Sequence, residues 1–250
     1  MSSKVLPLRH IPNGITCLNL FCGCLSIVSS FEGRLAWSAY FIFAAAVFDF
    51  FDGFAARRLN AYSDIGKELD SLADAISFGV APAAVMYALL SHSVSACGFP
   101  VDTYSLGWFI SLSAFLIAVF SALRLAKFNV DVRQTDSFIG LPTPANALFI
   151  CSLIFITQNN DCFSALVANM YFLLAVTLVF SYLLVAELPL FSLKFKSFDW
   201  KKNRIRYTFI GLSALILLIL HWAGLAVVIL FYILLSVFVN LFGKGNSVAT

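Results

Sequence analysis

Four aspartates stand at spacings that gather their carboxylates: Asp49, Asp52, Asp70 and Asp74. They lie in Asp49-Phe-Phe-Asp52-Gly53-Phe-Ala-Ala56-Arg57 and, after eight residues, in Gly66-Lys-Glu-Leu-Asp70-Ser-Leu-Ala-Asp74. On a helix, residues three and four apart share a face. Asp49, Asp52, Gly53 and Ala56 therefore line one stripe, and Gly66, Asp70 and Asp74 line another. The surrounding chain is strongly apolar, and a charged group at a bilayer centre costs roughly 2.5–3.5 kcal/mol on insertion scales. Four such groups together call for divalent cations, and an all-oxygen, acidic ligand set suits Mg²⁺ or Mn²⁺. Two ions about 3.5–4 Å apart would suit phosphoryl transfer. Gly53, Ala56 and Gly66 clear the same faces of side chains, leaving room for a ligand against the backbone. Arg57 ends the first stripe with a planar fork suited to phosphate oxygens.

A lone aspartate in a span is often half of a buried polar pair. Four at these spacings, with small residues between and an arginine beside them, argue against a purely structural role. A divalent-cation transporter built on the same carboxylates is the competitor from another class. It would need a polar path to the far side, and Ala36–Phe48 and Ile76–Leu90 offer no carboxylate for one.

The elements that must position these residues are membrane helices. The chain has 250 residues, 61% hydrophobic and 12% charged, against about 25% charged in soluble domains. Its mean hydropathy is +0.92. A net charge of +3 gives nucleic-acid binding no support. Apolar runs of about 20 residues fall near Ile11–Phe31, Leu35–Ala55, Ser71–Leu90, Ser105–Leu125, Pro144–Thr157, Phe163–Ala186, Tyr207–Leu220 and Leu225–Phe242. The expectation is an all-α integral membrane protein with about eight transmembrane helices and both termini cytoplasmic. Met1–His10 lacks a cleavable-leader pattern, so the first run is expected to remain as a span. With that topology fifteen of the sixteen Lys and Arg residues face the cytoplasm, Arg34 being the exception, as the positive-inside rule asks. The basic, aromatic stretch Ser192–Arg206 reads as a cytoplasmic linker on anionic headgroups. It divides residues 1–191, a six-helix core, from an additional helix pair and tail at 207–250.

Asp-Gly-x2-Ala-Arg-x8-Gly-x3-Asp-x3-Asp, matched by Asp52, Gly53, Ala56, Arg57, Gly66, Asp70 and Asp74 with Asp49 three residues ahead, resembles the signature of the CDP-alcohol phosphatidyltransferase family. The resemblance implies a membrane enzyme that displaces CMP from a CDP-linked lipid or alcohol, with two metal ions. It makes Asp49, Asp52, Asp70 and Asp74 the ligands and Asp74 also the general base. It sets Gly53, Ala56, Arg57 and Gly66 against the CDP moiety. It also implies a homodimer in the plasma (inner) membrane, with the active site facing the cytoplasm. The flanks Pro12-Asn13…Asn19…Gly23, Ser77-Phe78-Gly79-Val-Ala81-Pro82, Arg124-Leu-Ala-Lys127-Phe128-Asn129 and Gly140-Leu-Pro142-Thr143-Pro144 resemble the branch of that family whose acceptor is serine. The substrates so implied are CDP-diacylglycerol and L-serine. Glycerol 3-phosphate or inositol as acceptor, and an archaeal ether lipid as donor, remain open.

Serine brings an ammonium and a carboxylate, so its site wants a cation. Arg124 and Lys127, at the end of the fourth span, stand at the right depth, either as carboxylate partners or as membrane anchors. Asn13, Thr16 and Asn19 share a stripe on the first span, where they line a pocket or bond neighbouring helices. Cys17, Cys22, Cys24 and Cys151 fall within spans as small apolar residues. Cys97 and Cys162 fall on the outer side, where they could pair. His10, His92 and His221 have no metal-ligand spacing.

Overall fold

The first helix, α1 (His10–Phe31), turns its small and polar residues inward: Thr16, Asn19, Gly23, Ser26 and Ser30 are buried. Ile11, Leu18, Phe21 and Val28 are exposed. That inversion is what lipid permits, since apolar side chains have no water to escape and small residues let helices approach. The computed structural model describes residues 10–130, 138–158, 163–190 and 203–242. Among them the chain is helical apart from one two-residue antiparallel pairing, β1 (Phe138–Ile139) with β2 (Pro189–Leu190), in the register Phe138↔Leu190.

Gly33, at φ +74, reverses the chain after α1, a conformation glycine adopts without steric cost. The next helix, α2 (Leu35–Arg58), packs along α1. Ser38 Oγ on α2 lies 2.7 Å from Ser26 Oγ and 2.8 Å from Ser30 Oγ, which ties the pair together where no water competes. Then α3 (Asp64–Asp74) begins at a capping Ser63, whose Oγ accepts from the Gly66 N–H at 3.0 Å. It continues through a π-helical turn, Ala75–Val80, into α4 (Ala81–Ala96). The composite Asp64–Ala96 is 33 residues long, about 50 Å at 1.5 Å per residue. A bilayer core is about 30 Å thick, so its acidic Asp64–Asp74 end has length to project past the apolar stretch.

After α4 come α5 (Leu106–Leu112), a 3₁₀ step at Ser113–Phe115, and α6 (Leu116–Val130). Then follow α7 (Thr143–Gln158), the short α8 (Ser164–Val167) and α9 (Met170–Val185). The core lies between α4 and α7, whose Val85, Met86, Leu90, Ile150, Leu153 and Ile154 are all but fully buried. The last element, α10 (Arg204–Phe242), breaks at His221, with φ 49 and ψ −119. Phe209 and Phe231 stack across it, ring centroids 5.6 Å apart. In an unbroken helix those residues would stand about 33 Å apart, so α10 is a tight hairpin. A Cβ on Gly224 would sit 2.8 Å from the Ile216 carbonyl oxygen, so only glycine fits the point where the arms close. Trp222 at the tip stacks on Phe155 of α7 at 4.1 Å, fastening the hairpin to the bundle.

Among the described residues, His10–Phe31, Leu35–Arg58, Asp64–Ala96 and Leu106–Val130 are helices long and apolar enough to cross a membrane, and the apolar run Arg206–Val239 is the one that the hairpin folds in two; Thr143–Gln158 and Met170–Val185 are shorter apolar helices. The chain is an integral membrane protein. The expected boundaries shift in three places. The third run extends at both ends, from Ser71–Leu90 to Asp64–Ala96, its start moved forward by the Ser63 cap. The sixth divides at Ala168–Asn169, where Asn169 Oδ1 accepts from the Tyr171 and Phe172 N–H groups and starts α9. The gap expected between the seventh and eighth runs narrows to His221. Most of the 192–206 linker, Arg133 and Cys162 lie outside the described residues.

Candidate active site

The acidic residues of α2 and α3 converge beside α1, which packs against both helices and against the π turn. Asp49, Asp70 and Asp74 each place one carboxylate oxygen within 4.8 Å of the other two. All three side chains are half-buried. Asp70 Oδ1 is buried with no hydrogen-bond partner, although buried polar atoms are seldom left bare. Oxygens sharing one Mg²⁺ at about 2.1 Å lie at most about 4.2 Å apart. The bound of 4.8 Å on the three oxygens is close to that span. The oxygen-only donor set, the bare Asp70 oxygen and the triangle's size all fit a hard divalent cation.

Asp52 stands apart from the triangle. It is 6% exposed, and Thr16 Oγ1 of α1 donates to its Oδ2 at 2.7 Å. The other acceptor within reach of that hydroxyl, the Pro12 carbonyl, is at 3.0 Å, so the shorter bond goes to the carboxyl group. Asn19 Nδ2, one turn on, donates to Asp74 Oδ1 at 3.3 Å. The Asn19 carbonyl in turn accepts from Ser77 Oγ at 3.0 Å. Opposite Ser77 sits Gly23, where a Cβ would lie 2.9 Å from the Ser77 Cα. The π turn therefore presses directly on α1 just beyond Asp74. Of the stripe Asn13, Thr16 and Asn19, the last two bond carboxylates across helices.

A cleft of ≈ 230 Å³ opens beside Asp52 and Asp70, and Gly53, Ala56, Arg57 and Gly66 all line it. Asn13 and Thr16 form its α1 wall. A Cβ on Gly66 would come within 2.9 Å of both Asn13 Oδ1 and Ser63 Oγ, whereas one on Gly53 would meet only the Arg57 guanidinium, Nη1 at 3.7 Å and Nη2 at 3.9 Å. The two glycines thus act differently: Gly66 permits close helix packing, while Gly53 keeps the floor open. Tyr62, Ser63 and Lys67 also line the cleft, and the sequence analysis did not assign them. A readable signal existed in Ser63, a helix-capping residue just before the second stripe.

Arg124 is 8% exposed and its Nε has no partner. Its guanidinium carbon lies 5.9 Å from the centroid of the Phe128 ring, and Asp74 is near enough to act on its charge. Packing explains the placement: Gly79 of the π turn abuts Ser121, three residues before Arg124, with a Cβ there 3.1 Å from Ser121 Cβ. Lys127 is exposed, and no described contact brings it to the carboxylates. Asn129 Nδ2 donates to Ser71 Oγ at 2.9 Å, holding the end of α6 to α3. Cys97 is free and exposed.

An apolar helical bundle with an acidic cluster suited to a divalent cation, beside a cleft at one end, defines a membrane protein of a particular class. The chain belongs to the CDP-alcohol phosphatidyltransferase family, whose model matches residues 9–185. Three relatives carry the name CDP-diacylglycerol–serine O-phosphatidyltransferase. That of Bacillus subtilis (strain 168) is 37% identical over 148 residues, covering 59% of this chain and 77% of that protein. That of Helicobacter pylori (strain ATCC 700392 / 26695) is 34% identical, covering 58% of this chain and 56% of its own. That of Methanocaldococcus jannaschii is 35% identical, covering 58% and 61%. The chain thus spans less than two thirds of the latter two proteins.

Proposed function

We propose that the protein transfers the phosphatidyl group of CDP-diacylglycerol to the hydroxyl of L-serine, releasing CMP. The observation that carries this reading is the meeting of Asp49, Asp70 and Asp74, the second of which lines a cleft together with Asp52, Gly53, Ala56, Arg57 and Gly66. The serine acceptor is supported by the shared name of the three relatives.

In this reaction the serine oxygen attacks the β-phosphorus, which bears diacylglycerol. A new P–O bond forms, the bond to the bridging oxygen breaks, and CMP leaves with that oxygen. Asp49, Asp52, Asp70 and Asp74 would hold Mg²⁺ or Mn²⁺, which when bound neutralises charge on the diphosphate. Gly53 and Ala56 keep the floor low enough for the CDP moiety. Arg57 offers two parallel donors to its phosphates. Asp74 takes the hydroxyl proton; Asn19 engages Oδ1, which leaves Oδ2 as acceptor. Such general-base help is worth roughly 10²–10⁴ in rate. Arg124 receives the serine carboxylate.

Our reading of the whole chain has eight spans in the plasma (inner) membrane, cytoplasmic termini and a cytoplasm-facing site. It supports this that Arg57, Arg58, Lys67, Arg124, Lys127, Arg204 and Arg206 stand at helix ends on the site side. It has a six-helix core at 1–191 and an added pair at 207–250, and it acts as a homodimer, as the family resemblance implies. A cation transporter fits less well, because α4 beyond the aspartates is closed by Val85, Met86 and Leu90.

The test is CMP release from CDP-diacylglycerol in detergent micelles against L-serine, glycerol 3-phosphate and inositol, with an ether-linked CDP lipid as alternative donor. L-serine should be used and the other two alcohols rejected. Preference for glycerol 3-phosphate would overturn the acceptor and leave the CDP and metal assignments standing. Absence of CMP release with every alcohol would overturn the transferase.

A further inference from the structure

We propose that the amino-acid end of the acceptor is held between α6 and α7 by Arg124, Thr143 and Asn146; the proposal rests on the serine reading above. Thr143 is 1% exposed and Asn146 0%. Thr143 Oγ1, Asn146 Oδ1 and Asn146 Nδ2 all lack a hydrogen-bond partner, as does Arg124 Nε. Membrane interiors offer no water to satisfy such atoms, and buried polar groups are almost always partnered. Ser121 Oγ of α6 and Ser181 Oγ of α9 are bare as well, but these four atoms on three side chains offer the donors and acceptors that a substrate carrying both charges would satisfy.

Ring contacts fix their level in the bundle. Phe155 of α7 stacks with Phe43 of α2 at 6.2 Å, and the two helices run in opposite directions. From Phe155 back to Asn146 is about 13.5 Å of helix, and the same run along α2 from Phe43 ends at Asp52. Asn146 thus stands at the depth of the aspartates. Its facing follows from Phe149, three residues on and on the same side of α7, whose ring stacks on Phe180 of α9 at 4.1 Å. That side looks toward α9, which packs along α6, the carrier of Arg124; α7 also meets the π turn that follows Asp74. Thr143, three residues before Asn146, continues the stripe.

The chemistry of the bare atoms matches one ligand class, an α-amino acid. Thr143 Oγ1 and Asn146 Oδ1 accept from an ammonium. Arg124 Nε and Asn146 Nδ2 donate to a carboxylate. The side-chain hydroxyl of the bound amino acid is then left to approach Asp74. Glycerol 3-phosphate and inositol bring no ammonium and would leave both acceptors bare, the situation that gives a polar site its strongest discrimination.

The experiment uses the full chain in detergent with Mn²⁺ and CDP-diacylglycerol. Thr143→Val and Asn146→Leu keep the volume and remove the polar atoms. Each should raise the serine KM tenfold or more while the CDP-lipid KM stays within twofold. Thr143→Ala carries the same prediction if a larger change prevents folding, which CDP-lipid binding reports. 3-Hydroxypropionate, which lacks the ammonium, should inhibit the Thr143→Val protein and the wild type equally but lose affinity for Arg124→Ala. If the three residues are merely tolerated in the core, apolar replacement leaves the serine KM unchanged, and the proposal is overturned. Equal rises in both KM values overturn it too. Failure of the wild type to use L-serine would overturn the functional reading and this proposal with it; serine use with an unmoved serine KM in the variants overturns this proposal alone.

Discussion

Asp52 and Asp74 each owe their orientation to one polar side chain of α1, Thr16 and Asn19. A hydrogen bond to a charged group is worth about 1.5–3 kcal/mol. Thr16→Val should therefore raise the Mn²⁺ concentration needed for half-maximal activity roughly tenfold, with Thr16→Ser close to wild type; a metal titration checks this, and an unchanged midpoint would show that Asp52 needs no such support. Asp49→Asn and Asp70→Asn remove charge from the triangle itself and should abolish turnover and weaken CDP-lipid binding. Asp74→Asn should separate the two: turnover falls by roughly 10²–10⁴, while CDP-diacylglycerol still binds measurably in an equilibrium assay. Loss of binding equal to the loss of turnover would make Asp74 a ligand only. Activity of the wild type should vanish with EDTA and return with Mg²⁺ or Mn²⁺.

At the scale of elements, the π turn Ala75–Val80 is the joint that sets Asp70 and Asp74 against α1. Gly23 is its seat, since a Cβ there would meet the backbone of Ser77 at 2.9 Å. Overpacking of this kind costs about 1–3 kcal/mol. Gly23→Leu should lower the thermal midpoint in detergent by several degrees and reduce turnover through Asn19, which Ser77 holds; an unchanged midpoint would mean that α1 and the π turn do not bear on each other. Sequence periodicity made the two acidic stripes legible, because i, i+3 and i+4 spacing survives in any helix. The composition of α1 also carried its signal, Thr16, Asn19, Gly23, Ser26 and Ser30 falling on one inward stripe. The π turn was not legible, because one widened turn leaves no mark on composition or on a 3.6-residue period. In the sequence the hairpin at His221 shows only as a four-residue gap between apolar runs, because its tip is closed by Gly224 lying against Ile216 and not by a polar loop. The bond from Thr16 to Asp52 was not legible either, since the spacing alone treats Asp52 as equal to Asp49.

The whole molecule is polar at one end and nearly uncharged through its length. Among the described residues, Arg57, Arg58, Lys67, Arg124, Lys127, Arg204 and Arg206 mark the end that carries the aspartates. Arg34, with Glu32 at 3.5 Å, stands at the other. Trp222 lies 6.0 Å from Phe43, in the Arg34 half of α2, so the tip of the last hairpin points away from the site and both its outer ends point toward it. The proposed cytoplasmic side of the site rests on this distribution, since basic residues are retained in the cytoplasm. An impermeant thiol reagent provides the test. Cys97, exposed at the end of α4, should react from outside intact cells after reduction. Cys17 and Cys24, though exposed in the bundle, face the acyl chains along α1 and should stay unlabelled. In a Cys97→Ser background, Lys201→Cys should react only once the cells are opened. Labelling of that cysteine from outside would invert the bundle and set the acidic cleft on the far side of the membrane from any cytoplasmic pool of serine.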